Sequence, residues 1–448
     1  MDTIAIILAA GQGTRMKSQT PKVLHKLMGK PLVRYGVEMA IEVTGSKPIV
    51  VIGHGADLLV KELGSETNFV TQEQQLGTGH AILQTEQTLA DFKGQIVVIS
   101  ADMPLLRKET ISGLIRKQKD NPDSLTLLTV AGEESRGFGR IIRDSLGNVT
   151  EIIEEAQATV EQLAIKEYNV GAYCVDAKWL WKALKKIQKS PKGEYYLTDI
   201  VQIAADAGLK ILASEVASPS EALGINTRQH LAEAETALRQ RINVDWMLNG
   251  VTMIDPAQVY IEPGVKIQPD TTIWPGTYLK GKTEIGSGCI LGPNTIIESS
   301  QVGINCRILS SVVEFAIIED QVEMGPFCHL RKGAHLASHV HMGNFGEVKD
   351  SYLGEGTKMG HFSYIGNAEI AGNVNIGAGT ITCNYDGQLK HPTIIEEGVF
   401  IGSDTMLVAP VKIGRGAKTG AGSVVTRDVA PGEVVVGVPA KPIKKTEK

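Results

Sequence analysis

Residues 261–297 read IEPGVKIQPDTTIWPGTYLKGKTEIGSGCILGPNTII, with an aliphatic residue at every sixth position. These residues are Ile261, Ile267, Ile273, Leu279, Ile285, Leu291 and Ile297. The spacing returns at Met324, Leu330, Leu336, Met342 and Val348, and again at Ile395, Ile401, Leu407, Ile413, Thr419 and Val425. A six-residue period fits neither an α-helix nor a heptad coiled coil, and fixed-period repetition is typical of solenoids. The pattern predicts a parallel β-helix with one inward aliphatic side chain per rung, rather than a chance run of aliphatics in a β-sandwich.

One turn of such a β-helix holds three rungs, or about 18 residues, so residues at that separation should stack on the same face. Arg331 and Lys349 have this separation, which would align two cations that could hold a phosphate. Ser403 and Ala421 have the same separation.

The period is interrupted at three places. It slips by one residue within 348–353 and again within 365–370, and the segment between the slips contains His361 and Tyr364. A longer break, Cys383–Pro392, indicates an excursion from the coil. Irregularities in a repeat are where function tends to be inserted, so these segments are candidates for a site.

Composition limits the classes of protein that the chain can represent. At 448 residues the chain is too long for one core, and its net charge of -5 argues against a general nucleic-acid binder. Its five cysteines show no CxxC spacing, which indicates reduced thiols and a cytoplasmic protein. We expect no signal peptide and no membrane span, since no uncharged apolar run reaches the required ~18 residues.

The first half alternates short aliphatic runs with helical patterns. The runs predicted as strands are Ile4–Leu8, Pro48–Ile52, Ile96–Ile99 and Leu125–Val130, and the helical patterns include Leu32–Val43 and Thr78–Thr88. This order predicts a Rossmann-like parallel α/β sheet with helices on both faces. Ligands of such sheets bind beyond the carboxyl ends of the strands.

Residues 227–249 form one amphipathic pattern that Thr227 can cap and Gly250 can end. Its position between the two architectures predicts a connecting helix. We therefore expect an α/β domain at 1–226, a linker helix at 227–249 and a β-helix domain at 250–448.

The turn after the first predicted strand, Leu8–Met16, reads LAAGQGTRM and is followed by Pro21 and Lys22. It is neither a dinucleotide fingerprint nor a Walker A loop. Its glycines would still let backbone N–H groups approach a phosphate, and Arg15 and Lys22 add two cations, which suits a triphosphate whose leaving pyrophosphate gains charge. The glycines alone would favour an ordinary strand-to-helix turn with surface cations, whereas the whole string disfavours it.

This whole string resembles the signature of the sugar-1-phosphate nucleotidyltransferases. Joined to a hexapeptide domain, it resembles the bacterial bifunctional N-acetylglucosamine-1-phosphate uridyltransferases/glucosamine-1-phosphate N-acetyltransferases over nearly the whole chain. The resemblance implies synthesis of UDP-N-acetylglucosamine, a precursor of peptidoglycan and other cell-envelope polymers. Acetyl-CoA would acetylate glucosamine 1-phosphate, and UTP would then react with N-acetylglucosamine 1-phosphate to release diphosphate. The resemblance, rather than the period, implies that the β-helix is left-handed.

Motif by motif, the resemblance implies a set of residues for the uridyl site. Arg15 and Lys22 would act on the phosphates, and Gln72 with the Gly77-Thr78 backbone would bind the uracil edge. The full binding set is Leu8, Ala9, Ala10, Gly11, Lys22, Gln72, Gly77, Thr78, Gly139, Glu154, Asn169 and Asn226. Gln12 stands where many relatives carry lysine, which removes one cation near the phosphates.

A magnesium site is expected in the same domain. Asp102 follows the strand Ile96–Ile99, where a carboxylate is well placed to hold Mg²⁺, although an aspartate there could also cap a helix. The resemblance favours the metal and adds Asn226 as a second ligand. Mg²⁺ usually takes only one or two protein ligands and completes its shell with phosphate and water.

The resemblance also implies a second site, in the β-helix. His361 would be the general base for acetyl transfer, because an imidazole titrates near working pH. Arg331 and Lys349 would bind the sugar phosphate. Tyr364, Asn375, Asn384 and Tyr385 would position the amino sugar and the acetyl group, and Ala378, Ser403 and Ala421 would contact coenzyme A.

The family forms homotrimers with acetyl sites built from neighbouring chains, so a homotrimer is expected here. Two other interpretations remain open. One is a nucleotidyltransferase whose repeat serves only for oligomerisation, which the strings around His361 and Lys349 disfavour. The other is a scaffold that joins the same two folds, which the intact Arg15, Lys22 and Asp102 disfavour.

Overall fold

The first half of the chain is built on a nine-stranded sheet in the computed structural model, which describes residues 2–443. Its strands are β1 Thr3–Leu8, β2 Ile49–Ile52, β3 Asn68–Thr71, β4 Gln95–Ser100, β5 Ser124–Ala131, β6 Arg140–Arg143, β7 Val149–Ile153, β8 Glu167–Asp176 and β9 Lys210–Glu215. The order is β9-β5-β8-β4-β1-β2-β3, and the β6–β7 hairpin pairs with β8. The four predicted strands are all present.

The sheet is mixed, and the prediction of a parallel sheet was wrong for β8. Strand β8 runs antiparallel to both β4 and β5, whereas β1, β2, β3 and β4 pair in parallel. The reason lies in the connection: β8 follows a hairpin and pairs antiparallel with it, at Tyr168 and Arg140. A parallel pair of β5 and β8 would need a crossover that returns the chain to the starting end of β5, and residues 132–166 form the β6–β7 hairpin and the four-residue helix Val160–Leu163 instead.

Helices cover the sheet and bury two apolar clusters against its faces. They are α1 Leu32–Thr44, α2 Ala56–Leu63, α3 Thr78–Leu83, α4 Lys108–Asp120, α5 Val160–Leu163, α6 Ala177–Leu184 and α7 Asp199–Asp206. Helix α3 is shorter than predicted and continues as turns. The Thr85 hydroxyl donates to the Ile82 carbonyl, a local bond of the kind that competes with helix propagation.

Helix α8, Arg228–Leu248, follows Thr227, whose hydroxyl accepts a hydrogen bond from the His230 N–H at 3.1 Å. The chain divides into two compact units within this helix, Met1–Leu238 and Arg239–Lys448. In the second unit, Asn243 Nδ2 donates to the carbonyls of Pro256 and Val259, which joins the end of the helix to the first coil of the repeat.

The second unit is a parallel β-helix with three faces. The first face contains Thr252–Met253, Thr272–Ile273, Ile290–Leu291, Arg307–Ile308, Glu323–Met324, His341–Asn344, Lys358–His361, Asn375–Ile376, Phe400–Ile401, Lys418–Thr419 and Val434–Val436, with Lys441–Pro442 antiparallel at its end. The second contains Val259–Ile261, Thr277–Lys280, Ile296–Glu298, Val312–Glu314, His329–Leu330, Glu347–Lys349, Tyr364–Gly366, Ile381–Cys383, Met406–Val408 and Val424–Val425. The third contains Lys266–Ile267, Glu284–Ile285, Gln301–Val302, Ile317–Ile318, Ala334–Leu336, Ser351–Leu353, Ala368–Ile370, Thr393–Ile395 and Val411–Ile413. The last five residues of the predicted domain lie outside the described residues.

The aliphatic positions of the period point inward and are buried, as predicted. The rung length varies more than predicted, because five-residue rungs also occur at 297–302, 308–313 and 313–318. Each five-residue rung has a left-handed residue two positions after the inward side chain; in the described chain these are Ser299, Ser310, Phe315, Asp350 and Asn367. In six-residue rungs the left-handed residue lies three positions after the inward side chain, as Phe345 does. The five-residue rungs are therefore shorter because their corner comes one residue earlier. No helix among the described residues is long and apolar enough to cross a membrane.

Candidate active sites

A cavity of about 700 Å³ lies at the carboxyl ends of β1 and β4, where the sequence predicted the ligand site. The predicted residues that line it are Leu8, Ala9, Ala10, Gly11, Arg15, Lys22, Gln72, Gly77, Thr78, Asp102, Glu154 and Asn226. An adjoining cavity of about 190 Å³ is lined by Gly139 and Asn169 and shares Glu154 and Asn226 with the first. The structure thus brings all the residues predicted for the uridyl site together.

Backbone geometry explains why glycine is needed at one edge of the cavity. Gly77 has φ of +102°, and a Cβ atom there would lie 2.6 Å from the Tyr195 carbonyl oxygen. The same carbonyl accepts a hydrogen bond from the Gly79 N–H at 2.9 Å, and the Tyr195 N–H donates to the Leu76 carbonyl at 2.7 Å. The loop therefore packs directly on the backbone at Tyr195, and a side chain at Gly77 would separate them.

The predicted metal ligands converge on one point. The Lys22 ammonium lies 2.5 Å from Asp102 Oδ2 and 3.0 Å from Asn226 Oδ1, so both oxygens face a common cation. Burial opposes ionisation of Asp102, but the Lys22 charge and hydrogen bonds from Lys22 and Ser100 outweigh it and hold the pKa of the carboxyl below its usual value. An ionised carboxylate and an amide oxygen are hard donors of the kind that Mg²⁺ prefers, so the residues present fit that ion.

Two further predicted residues are held in place inside the adjoining cavity. Glu154 Oε1 accepts a hydrogen bond from the Thr198 hydroxyl at 3.0 Å. Burial raises the pKa of Glu154, against the effect of that hydrogen bond. Asn169 Nδ2 donates to the buried Tyr173 hydroxyl at 2.7 Å, and Asn169 Oδ1 accepts from the Gly171 N–H at 3.0 Å. Tyr173 was given no role from the sequence, since its contact with Asn169 does not follow from a motif.

Asp199 makes the stability of this region depend on pH. Burial, followed by the charges of Glu154 and Glu151, raises the pKa of Asp199 to about 6, above the ordinary value of ~3.9. The folded state therefore binds a proton more tightly than the unfolded state, and the resulting stability is lost as pH rises through about 6. We expect Asp199→Asn to raise the Tm by about 2–4 °C at pH 7.5 and to change it little at pH 4.

Thermal unfolding followed by circular dichroism at the two pH values checks this prediction. Asp206→Asn, a change at the exposed end of the same helix, is the control and should leave the Tm unchanged at both. A Tm gain for Asp199→Asn that is equal at both pH values would contradict the electrostatic cause.

In the β-helix, several predicted residues form one column at the corner that follows the first face. At this corner a backbone N–H of each coil donates to a backbone carbonyl of the coil before it, at 2.6 to 3.3 Å. The donor and acceptor pairs are Phe362 and Asn344, Gly379 and His361, Asp404 and Ala378, and Gly422 and Ser403. His361 thus stands in line with the residues predicted to contact coenzyme A, and Ala421 belongs to the next coil of the same corner. Stacking of Ser403 on Ala421 was predicted from the period; the inclusion of His361 was not.

The imidazole of His361 is oriented by a residue that the sequence analysis gave no role. His361 Nδ1 lies within hydrogen-bond distance of Asn344 Oδ1. Because a carboxamide oxygen only accepts, Nδ1 carries the hydrogen and Nε2 is left with its lone pair. This tautomer suits a general base that acts through Nε2.

The predicted phosphate cations lie on the second face. Arg331 N–H donates to the Val348 carbonyl, so Arg331 and Lys349 occupy adjacent coils, as predicted. The Arg331 guanidinium is paired with Glu347 at 2.9 Å. Lys390, on the excursion, is a further cation of this cluster, and its proximity lowers the pKa of Lys349. The period could not place Lys390, because the excursion leaves the coil.

The sugar-positioning residues divide between two faces. Tyr364 and Asn384 meet over Gly366 on the second face, where a Cβ atom would collide with the Tyr364 hydroxyl and with Asn384 Nδ2. Tyr385 is exposed on the excursion, and its hydroxyl donates to the Gly387 carbonyl. Asn375 lies on the first face, where its backbone pairs with Lys358 and Phe400, so one chain does not bring all of these residues to one face.

Fold and sites together define a two-domain transferase, with a nucleotide-dependent domain followed by a β-helix. The Nucleotidyl transferase family model matches residues 4–217, and the Bacterial transferase hexapeptide model matches 264–299 and 392–427. The second unit is accordingly a left-handed parallel β-helix of the hexapeptide type. A solved UDP-glucose pyrophosphorylase complexed with UDP-glucose matches 54% of this chain and 100% of its own at 20% identity, with a TM-score of 0.44.

Curated relatives match almost the whole chain. The bifunctional protein GlmU of Exiguobacterium sibiricum is 45% identical over 96% of this chain and 96% of its own. The bifunctional protein GlmU of Brevibacillus brevis is 43% identical over 95% of this chain and 92% of its own. The chain belongs to the bifunctional GlmU family. It is accordingly an enzyme with the acetyltransferase and uridyltransferase activities that together make UDP-N-acetylglucosamine.

Proposed function

We propose that the cavity at the ends of β1 and β4 transfers the uridylyl group from UTP to N-acetylglucosamine 1-phosphate and releases diphosphate. The observation that carries this proposal is the convergence of Lys22, Asp102 and Asn226 on one point of that cavity. Asp102 and Asn226 would hold Mg²⁺, which supplies positive charge to the phosphates when bound.

The sugar phosphate itself is the nucleophile. Its oxygen forms a bond to the α-phosphorus of UTP while the bond from that phosphorus to the bridging oxygen of diphosphate breaks. No protein nucleophile is needed. Arg15 and Lys22 line the cavity and stabilise the charge that develops on the leaving group. Glu154 and Asn169, fixed by Thr198 and Tyr173, would orient the sugar.

The β-helix would carry out the preceding step, acetyl transfer from acetyl-CoA to glucosamine 1-phosphate. His361 Nε2 takes a proton from the amine of glucosamine 1-phosphate while the amine nitrogen bonds to the carbonyl carbon of the thioester. The carbon–sulfur bond then breaks and releases coenzyme A. Arg331 and Lys349 would hold the phosphate. Tyr364, Asn375, Asn384 and Tyr385 would position the reacting groups, and Ala378, Ser403 and Ala421 would contact coenzyme A.

A homotrimer would complete this second site. The outward positions of the second face are Tyr260, Tyr278, Ile296, Val312, His329, Glu347, Tyr364, Ile381, Met406 and Val424. Most of them are apolar, whereas corresponding positions of the first face include Arg307, Glu323 and Lys358. An apolar stripe of this length is typical of an interface. Packing the second face of one chain near the first face of the next would bring Lys349 and Asn375 to one site.

Lys390 provides a test of the proposed phosphate site. Because its ammonium belongs to the cation cluster of Arg331 and Lys349, we expect Lys390→Gln to raise the KM for glucosamine 1-phosphate about tenfold, with a smaller change in the KM for acetyl-CoA. Steady-state kinetics of acetyl transfer measures both constants. Lys412→Gln, on the third face and paired with Glu396, removes the same charge elsewhere and should change neither. If the two variants had equal KM values for glucosamine 1-phosphate, the assignment of Lys390 to the phosphate site would be contradicted.

A paired assay tests the proposed function as a whole. The full chain is given acetyl-CoA and glucosamine 1-phosphate, and the product is then given UTP and Mg²⁺. We expect free coenzyme A in the first step and diphosphate with UDP-N-acetylglucosamine in the second, and failure of either step would contradict that half of the proposal. We place both reactions in the cytoplasm, a location in keeping with the five free thiols of the described chain.

A further inference from the structure

The ammonium of Lys22 lies between the two residues proposed to hold the metal. It donates a hydrogen bond to Asp102 Oδ2 at 2.5 Å and another to Asn226 Oδ1 at 3.0 Å. The side chains of Lys22 and Asp102 are largely buried, at 13% and 18% exposed. The base of the lysine is fixed by packing, since a Cβ atom on Gly13 would lie 2.5 Å from Lys22 Cβ. A change in the position of the ammonium therefore comes from rotation of the side chain and not from movement of its base.

The oxygens that hold this ammonium are the ones that Mg²⁺ would use. Mg²⁺ binds oxygen at about 2.0–2.1 Å. An ion at that distance from Asn226 Oδ1 would lie no more than about 5 Å from an ammonium that stays 3.0 Å from the same atom. The two cations would then share the single carboxylate of Asp102 in a largely buried site, where their repulsion is poorly screened. Lys22 and Mg²⁺ are therefore alternative occupants of this point.

A triphosphate changes this competition because it offers the ammonium another partner. Lys22 lines the 700 Å³ cavity together with Arg15 and the loop 8–14. An ammonium that leaves Asp102 can pair with phosphate oxygens in the same cavity, and the carboxylate is then left to the metal. When no triphosphate is bound, a metal ion that displaced Lys22 would leave its charge in a largely buried site without an anionic partner.

We propose that Lys22 competes with the metal: its ammonium occupies the Mg²⁺ position until a triphosphate draws it away, so that the metal binds with the nucleotide and not before it. This role rests on the proposed reaction of UTP at this cavity. It gives the lysine two sets of partners in succession, Asp102 with Asn226 first and the phosphates second. Removal of its charge should therefore strengthen the binding of a metal ion alone and weaken the binding of the nucleotide. A lysine that only supported the fold would weaken both when replaced.

Binding of Mn²⁺ to the full-length protein tests this competition without nucleotide and without turnover. Mn²⁺ takes the same oxygen ligands as Mg²⁺, and electron paramagnetic resonance measures the free ion. We expect Lys22→Met, which keeps the length of the side chain and removes its charge, to lower the Kd for Mn²⁺ about tenfold or more. Lys22→Leu replaces this variant if that protein does not fold. Arg15→Met removes the same charge from the wall of the cavity and should lower the Kd less than about threefold.

Two further measurements complete the test. The double variant Lys22→Met/Asp102→Asn shows where the ion binds, and it should bind Mn²⁺ no more tightly than the wild type. Equilibrium dialysis with UTP and Mg²⁺ measures nucleotide binding, and we expect Lys22→Met to raise the Kd for UTP about tenfold or more. Opposite changes in the two Kd values separate the exchange from general damage to the site.

The outcomes separate this proposal from the proposed function. A Kd for Mn²⁺ that Lys22→Met does not lower, or lowers no more than Arg15→Met does, would overturn the competition while leaving uridylyl transfer in place. Unchanged UTP binding in Lys22→Met would refute the transfer of the ammonium to the phosphates. A gain in Mn²⁺ binding that persists with Asp102→Asn would place the ion elsewhere and overturn the metal assignment as well. A wild-type enzyme that makes no UDP-sugar from UTP and Mg²⁺ would overturn the proposed reaction itself.

Discussion

Asp102→Ala is expected to lower the rate of uridylyl transfer by about 10³-fold or more and to leave acetyl transfer unchanged. Lys22 contacts both Asp102 and Asn226, and among the described residues Asp102 supplies the only carboxylate at this point. Its replacement removes the charged ligand proposed for Mg²⁺ and leaves the Lys22 ammonium without its ion-pair partner. Diphosphate release at saturating UTP and Mg²⁺ measures the effect.

Two controls make this result specific. Asp123→Ala removes a carboxylate from an exposed turn of the same unit and should retain full activity. The acetyltransferase rate of Asp102→Ala, measured on the same preparation, should equal that of the wild type. Wild-type uridylyl transfer by Asp102→Ala would refute the assignment of Asp102 to the metal and phosphate site.

His361→Ala should have the second large effect, a fall of about 10²- to 10⁴-fold in the rate of acetyl transfer. The loss arises because Nε2, left free by the contact of Nδ1 with Asn344, no longer removes the proton from the attacking amine. Release of free thiol from acetyl-CoA measures this rate, while diphosphate release should stay at the wild-type level.

His335→Ala is the matched control for this variant. His335 lies on the third face and pairs with Glu319 at 2.8 Å, so its removal takes a similar imidazole from the surface of the same β-helix. We expect His335→Ala to retain acetyl transfer. If both histidine variants lost activity equally, the effect would be structural, and if His361→Ala retained full activity, the general base would be another group.

The β-helix could be predicted from the sequence because its inward positions have one environment. Ile297, Leu330 and Leu407 are all fully buried, so the interior selects aliphatic side chains strictly and the period becomes visible. The five-residue rungs were harder to predict, since left-handed corners occur at residues as different as Ser310 and Phe315. The antiparallel strand β8 was missed for a related reason: its direction depends on a hairpin connection and not on its own composition.

The sites could be predicted where motif residues follow strands directly, as Asp102 does after β4. Contacts made across the chain could not be predicted in the same way. Asn344 contacts His361 because the length of the coil between them places the two residues side by side on adjacent strands. A coil one residue longer or shorter would separate them. Lys390 lies on an excursion whose direction no period defines, and Tyr173 contacts Asn169 through a bulge in β8.

Two separate active sites working in sequence on one chain is the central claim, and a mixing experiment tests it most directly. Purified Asp102→Ala and His361→Ala proteins are each given glucosamine 1-phosphate, acetyl-CoA, UTP and Mg²⁺, alone and then mixed. Each variant alone should form almost no UDP-N-acetylglucosamine, and the mixture should form it readily, because N-acetylglucosamine 1-phosphate made by the first variant is free to reach the second. A mixture as inactive as either variant alone would contradict the claim of two independent sites joined by a diffusing intermediate.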